Sequence, residues 1–285
     1  MLAGDLLPPL IATGCRLLLV DKLGGEAAGH QVKSLDITEA VLVSDVVEDF
    51  RPDWILNCAA FTGVDDAEVQ RELALAVNAE GPRNLALALK QYGGALLHIS
   101  TDYVLGADVP YGTSRAPYTE SEQPNPCGAY GATKLAGEKA VQEVLPDSSL
   151  IVRTSWLHGV HGPNFINTML RVASERSELK VVDDQRGSPT WAGWLAVILI
   201  KLVERNARGI FHASSRGDIT WFDFAEEIFR QAGKEIKVLR QTTQELARPA
   251  PRPAYSTFCL DKLENFLGER CITFQEGTTQ HLKAL

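Results

Sequence analysis

The stretch ALLHISTDY, Ala95 to Tyr103, opens on an unbroken apolar run and turns polar at Ser100. A short continuous apolar run marks a strand buried on both faces, the kind found in parallel sheets. Working outward, RLLLV (Arg16–Val20), WILNC (Trp54–Cys58) and LIVR (Leu150–Arg153) have the same character. Between these runs lie amphipathic segments at Val41–Phe50, Glu72–Tyr92 and Gly131–Leu145. WLAVILIKLV, Trp194 to Val203, reads as a buried helix flanking the sheet. Buried strands alternating with helices of this length predict an α/β chain built on a doubly wound parallel sheet. Ligands in that architecture bind outside the carboxyl ends of the strands. Asp21, the Asn57–Asp65 segment and Ser100–Tyr103 all fall where those ends are expected.

The formal net charge of -8 argues against a broad contact with nucleic acid or an anionic membrane. A local arginine pocket for a small anion is compatible with it. The five cysteines, Cys15, Cys58, Cys127, Cys259 and Cys271, are scattered without CxxC spacing, which predicts reduced thiols and neither a disulfide framework nor a metal site. The apolar opening MLAGDLLPPLIATG lacks a basic start, carries Asp5 and is interrupted by Pro8-Pro9, so it does not read as a signal peptide. No later run reaches the ~18 apolar residues of a membrane span. A cytoplasmic location is the expectation.

The N-terminal region departs from a dinucleotide fold. Such a fold opens with a strand, then a glycine-rich turn, then a helix whose N-terminus holds a pyrophosphate. Here Leu2 to Thr13 already has the pattern of that helix, with Gly14 suited to its C-terminal cap and RLLLV following as the second strand. Met1-Leu2-Ala3-Gly4 reads as the tail of the glycine turn. The expectation is that a first strand and half a loop, ~10 residues, precede Met1 in the original reading frame. The alternative is a shorter variant that uses another segment at the sheet centre.

The chemistry lies in the middle of the chain. Tyr130 and Lys134 form Y-x-x-x-K at the start of the helix YGATKLAGEKAVQEVL. The i, i+4 spacing puts both on one helical face. The Lys134 ammonium is then expected to lower the pKa of Tyr130, so that the phenol exchanges a proton with a carbonyl oxygen. Thr101, at the end of the ALLHI strand, offers a hydroxyl to polarise the same oxygen. These three residues are the expected catalytic trio.

STDYV, YGATKLAGE and RTSWL (Arg153–Leu157) together resemble the extended short-chain dehydrogenases, and most of all the dTDP-4-dehydrorhamnose reductase family. SLDIT (Ser34–Thr38), NCAAFTGVDDAE (Asn57–Glu68), NFINTMLR (Asn164–Arg171), DQRGSPT (Asp184–Thr190) and RPAYSTFCLDKL (Arg252–Leu263) extend the resemblance along nearly the whole chain. It implies a Rossmann-type sheet with a smaller C-terminal substrate-binding lobe, and hydride transfer from NADPH or NADH to the C4 ketone of dTDP-4-dehydro-L-rhamnose. By matching position, Tyr130 is the general acid, Lys134 supports it and holds a ribose, and Thr101 orients the ketone. Asp102 and Trp156 would meet the sugar. Leu2, Asp21, Asp36, Ile37, Ala59, Ala60 and Phe61, with Tyr130 and Lys134, would line the dinucleotide. Asp21 suits ribose hydroxyls, whereas the adjacent Lys22 suits a 2′-phosphate, so NADPH and NADH both stay open. Arg252 is a candidate for clamping the substrate diphosphate, against the plainer reading of a solvated loop arginine.

Two rival functions share features with this one. A nucleotide-sugar dehydratase or epimerase has the same fold and trio, but resembling dehydratases place a carboxylic acid directly after the Thr-Asp pair, where this chain has Tyr103. A non-catalytic regulatory protein is the other, since a subunit of methionine adenosyltransferase resembles the same family. Of the remaining residues, His98 reads as a core histidine, and His158, His161 and His212 have no metal spacing. Trp221, Phe222, Phe224 and Phe229 read as packing, with Thr220 and Asp223 as a capping box. The dinucleotide-binding part is expected over residues 1–157. The sugar-nucleotide lobe follows over 158–285, interleaved with LKVVDDQ (Leu179–Gln185) and GIFHASS (Gly209–Ser215) as late strands returning to the sheet. A homodimer is compatible with all of this.

Overall fold

The computed structural model describes residues 1–285. The chain opens with helix α1 (Leu2–Ala12), followed by β1 (Leu19–Asp21), β2 (Gly25–Ala27), β3 (His30–Ser34), α2 (Ala40–Phe50) and β4 (Trp54–Asn57). Next come α3 (Gly81–Tyr92), β5 (Ala95–Thr101), α4 (Ala129–Val144) and β6 (Ser149–Thr154). The C-terminal half contains α5 (Phe165–Glu175), β7 (Glu178–Val182), α6 (Ala192–Glu204), β8 (Gly209–His212), α7 (Trp221–Ala232), β9 (Lys237–Gln241), α8 (Asp261–Leu267) and α9 (Phe274–Ala284).

The main sheet has the order β8-β6-β5-β4, with every neighbouring pair parallel. All six residues of β6 are buried, as its unbroken apolar run requires of a strand covered on both faces. Successive side chains of a strand face opposite ways. Accordingly Leu96 joins the apolar layer beneath α2, α3 and α4, while Leu97 joins the layer beneath α1, α6 and α8. The sequence reading of an α/β doubly wound sheet therefore holds, with helices on both faces. It differs in one respect: the sheet is not continuous. β1 and β3 pair in parallel, Asp21 opposite Ser34, and join β2 in a separate three-stranded sheet. No strand pairs with the outer edge of β4.

Two further expectations are corrected. LKVV does not return to the main sheet; β7 pairs in parallel with β9, apart from it. These strands pack with α5 and α7 around Ile166, Phe224 and Ile228, a third apolar cluster that draws them away from the main sheet. GIFH does return, as β8 beside β6. The segment Glu72–Tyr92, read as one helix, is broken by a π-helical turn at Ala76–Glu80. Pro82 explains the break. In an α-helix its missing N–H and its ring would fall on the carbonyl of Asn78, four residues earlier. The wider turn relieves this, with Gly81 N–H bonding back to Ala76 O.

The local signals at the helix ends behave as read. Gly14, at φ +71°, follows α1 in the left-handed conformation a glycine cap supplies. Thr220 and Asp223 form the reciprocal capping box of α7. No helix is long and apolar enough to cross a membrane.

Candidate active site

The carboxyl ends of β4, β5 and β6 deliver Asn57, Thr101 and Thr154 to one edge of the main sheet, with Thr101 opposite Thr154. α4 starts beside them because Gly131 allows it to. A side chain there would overlap the carbonyl oxygen of Tyr103, so only glycine lets the helix seat against the Thr101–Tyr103 turn. Gly137, two turns along, has the same relation to the carbonyl of Asn78, which the π-helical turn leaves projecting. These contacts place Tyr130 and Lys134 over the end of β5.

Thr101 lies next to the Tyr130 phenol, and its own hydroxyl is 3.1 Å from Asp102 Oδ1, to which it donates. Lys134 is buried, and its Nζ donates to Ile99 O at 2.7 Å. The trio expected from the sequence is thus assembled, with one change in its electrostatics. The Tyr130 phenol is pushed up to about 12, by desolvation and by the Asp102 carboxylate, against a smaller downward pull from Thr101. The expected lowering by Lys134 is not found: Lys134 is itself brought down to about 8 by burial and donates from its amine to Ile99 O of β5. A phenol that keeps its proton through neutral pH suits proton donation.

Asp102, expected to meet the sugar, is almost fully enclosed and accepts a hydrogen bond from Ser256 at 2.6 Å. It ties the Thr101–Tyr103 turn to the RPAYS segment. Burial raises its carboxyl to about 6 despite the hydrogen bonds from Ser256 and Thr101. The folded protein therefore holds a proton that the unfolded chain, with an aspartate near ~3.9, releases. Stability from this group is present below pH ~4 and is lost as pH rises through about 6. Denaturant titrations across that window are expected to show the wild type losing about 2–3 kcal/mol relative to Asp102→Asn. Parallel pH slopes for the two proteins would contradict it.

Trp156 adopts φ +44°, a left-handed conformation costly for a bulky residue. Its indole lies over Gly187, where any side chain would collide with it, and stacks on Trp221 with ring centroids 3.6 Å apart. Trp221 thus braces Trp156, although its sequence pattern reads only as packing. Asn78 is a second residue the sequence did not single out. Its amide accepts from Phe61 N–H at 2.8 Å and donates to Phe61 O and Thr133 Oγ1, both at 3.1 Å. Together with Asn57, whose Oδ1 accepts from Ala59 N–H, it holds the Ala59–Phe61 loop in shape.

The other residues expected around a dinucleotide are less uniform. Asp36 accepts from Thr38 and pairs with Lys22 at 2.8 Å, which holds its carboxyl down at about 2. Lys22, considered for a 2′-phosphate, is already engaged by Asp36. Asp21 is exposed at the end of β1, and its carboxylate caps Leu23 N–H. Ile37 is buried against Gly81. Leu2 has its side chain buried in the apolar layer with Leu6, so it is its backbone that faces outward toward a ligand in the sequence reading. Arg252 is not the solvated loop arginine of the plainer reading. Its guanidinium grips both oxygens of Asp65 at 3.0 Å, so a diphosphate would have to share or displace that partner.

Taken together, the donor set fits a nicotinamide dinucleotide. Lys134 and Tyr130 stand at the reacting end, the shaped Ala59–Phe61 loop lies beside them, and the carboxylates of Asp21 and Asp36 suit ribose hydroxyls.

Comparison with known proteins agrees. The family described as the RmlD substrate binding domain matches residues 17–285. A dTDP-4-dehydrorhamnose reductase of Streptomyces griseus is 45% identical over 244 residues, covering 84% of this chain and 79% of that protein. A dTDP-4-keto-6-deoxy-D-glucose reductase of Streptomyces niveus is 45% identical over 223 residues, 78% of this chain and 76% of that one. Among solved structures, the dTDP-4-dehydrorhamnose reductase of Bacillus anthracis in complex with NADP superposes with a TM-score of 0.83 at 41% identity, covering 88% of this chain and 87% of that one.

Proposed function

Since the chain belongs to the dTDP-4-dehydrorhamnose reductase family, we propose that it is an NAD(P)H-dependent oxidoreductase reducing the C4 ketone of dTDP-4-dehydro-L-rhamnose to dTDP-L-rhamnose. The observation that carries this reading is Tyr130 held beside Thr101 with its proton retained.

A bound nicotinamide dinucleotide supplies the hydride. The residues of this chain then have separable tasks. Thr101 orients the ketone oxygen at C4. Tyr130 donates its phenolic proton to that oxygen as negative charge develops on it, so the carbonyl becomes a secondary alcohol. Lys134 holds a ribose hydroxyl and, while protonated, eases the loss of the Tyr130 proton. Trp156, braced by Trp221, offers a flat apolar wall to the sugar.

The side chain after Thr101-Asp102 supports reduction over dehydration. Tyr103 meets Tyr130 edge to face at 5.5 Å and carries no acid for an elimination step. The position of Arg252 suggests that it and Asp65 act as one unit, bracing the C-terminal segment against the Asn57–Asp65 loop at the diphosphate end. A cytoplasmic homodimer is the setting we infer, with exposed Val41 and Leu42 on α2 available to a second copy.

Mixing the protein with NADPH or NADH and the dTDP-4-keto-6-deoxy sugar is expected to consume the reduced cofactor one-for-one with a C4 alcohol. Comparing the rhamnose precursor with the D-glucose-configured ketosugar identifies the preferred substrate. Cofactor binding without oxidation on either sugar would overturn the reductase reading.

A further inference from the structure

His98 lies in the middle of β5, fully buried, and both ring nitrogens have partners. Nδ1 is 3.1 Å from the Asn57 side-chain nitrogen, and Nε2 is 3.4 Å from Lys134 Nζ. The orientation of the Asn57 amide is set from its other end. Its oxygen accepts from the Ala59 N–H at 3.1 Å, and a backbone N–H can only donate. The NH₂ of Asn57 therefore faces His98, so Nδ1 accepts. Burial and the nearby lysine keep the ring neutral. A neutral ring that accepts at Nδ1 carries its proton on Nε2, pointing at Lys134.

We propose that His98 is a positioning residue of the active site, passing the donor polarity of the Ala59 N–H through Asn57 to the amine of Lys134. The inference rests on the reading of Lys134 as the amine that serves Tyr130 in a reductase.

The consequence lies in what Lys134 can then accept and donate. A neutral amine has a lone pair for His98 and N–H groups for Ile99 O, which it reaches at 2.7 Å. An ammonium has no lone pair and would meet the His98 N–H donor to donor. The chain Ala59, Asn57, His98 thus disfavours the charged lysine by hydrogen-bond polarity, in addition to burial.

The other groups around Lys134 are accounted for. Cys58 faces it from the end of β4, and Glu138 lies one turn on along α4, already paired with Arg153 of β6. Tyr130 lies one turn back, with the Asp102 carboxylate beyond it. The lysine stands at about 8, with burial the largest cause. It therefore titrates close to neutral pH, and the dinucleotide loop carrying Ala59 is mechanically joined to it.

The tautomer of His98 is directly observable. Long-range ¹H–¹⁵N spectra of histidine-labelled protein are expected to show protonation at Nε2; an Nδ1–H ring in the wild type would overturn the relay. Asn57→Asp supplies a side chain that only accepts, which turns His98 over to Nδ1–H and gives Lys134 a lone pair. The Lys134 titration, followed by ¹³C-lysine NMR, and the alkaline limb of turnover are expected to move up by about one pH unit. In a His98→Leu background the same substitution is expected to move Lys134 by less than half as much. An equal shift with and without His98 would mean charge alone acts, and would sink the proposal. The tautomer and the lysine titration need no turnover. An Nε2–H ring in a protein that fails to reduce ketosugars would leave the relay standing and remove only the reductase reading.

Discussion

Tyr130→Phe is expected to lower kcat by about 10²–10⁴-fold while leaving the affinities for dinucleotide and dTDP-sugar nearly unchanged. The reason is the balance of the reaction. A hydride delivered to C4 leaves negative charge on oxygen, and in the proposed mechanism Tyr130, beside Thr101, gives that oxygen the proton it holds at neutral pH. Its phenol is pushed up to about 12, so the proton is present throughout the working range. Phenylalanine keeps the ring and its edge-to-face contact with Tyr103 at 5.5 Å. Folding should therefore survive, and the melting temperature should stay close to that of the wild type. Rapid-mixing measurement of reduced-cofactor oxidation separates the chemical step from binding. A variant that retains more than a tenth of the wild-type rate would show that another group donates the proton.

Glu138→Ala is expected to cost about 3–5 kcal/mol and to lower the melting temperature by roughly 10 °C. Glu138 and Arg153 are each about 1% exposed and face each other across α4 and β6. Arg153 reaches the carboxylate through Nε at 2.9 Å and Nη2 at 2.6 Å, and Ser100 donates to the same carboxylate. The remaining arginine nitrogen lies 3.4 Å from Nε2 of His212, whose Nδ1–H donates to Tyr118 O. Removing the carboxylate leaves a guanidinium sealed from water with no counter-charge, the costly way to break such a pair. Replacing both partners by apolar residues, Glu138→Leu with Arg153→Met, is expected to recover much of the loss, since no charge is then left buried. Thermal unfolding of the single and double variants separates the two causes. A double variant no better than the single one would assign the loss to shape rather than to charge. Activity should fall in the single variant as well, because Ser100 immediately precedes Thr101 and loses its anchor.

Much of this was legible in the residues. The buried runs WILN, ALLHI and LIVR lie in adjacent parallel strands, because an unbroken apolar run has only one comfortable place in an α/β chain. Tyr130, Lys134 and Thr101 were legible as a trio, since helical spacing and the end of a strand are local properties. Where a tertiary partner decides, the sequence was silent or misleading. LKVV has the composition of a sheet strand, but which sheet it joins depends on β9, some sixty residues on. Trp221 reads as packing until the unusual backbone of Trp156 turns one indole onto the other. Arg252 reads as an anion clamp or a solvated side chain until Asp65 is found in its grip.

The amino-acid sequence by itself determined the layered α/β class, the strands whose ends carry the candidate site and the spacing that brings Tyr130, Lys134 and Thr101 together, all of which follow from local pattern. Only the tertiary structure decided the protonation of that site. Tyr130 rises rather than falls, Lys134 drops to about 8, and His98 turns from core filler into its neighbour. A pKa depends on what water is excluded and which donors and acceptors meet, and those are settled by residues far apart in the chain.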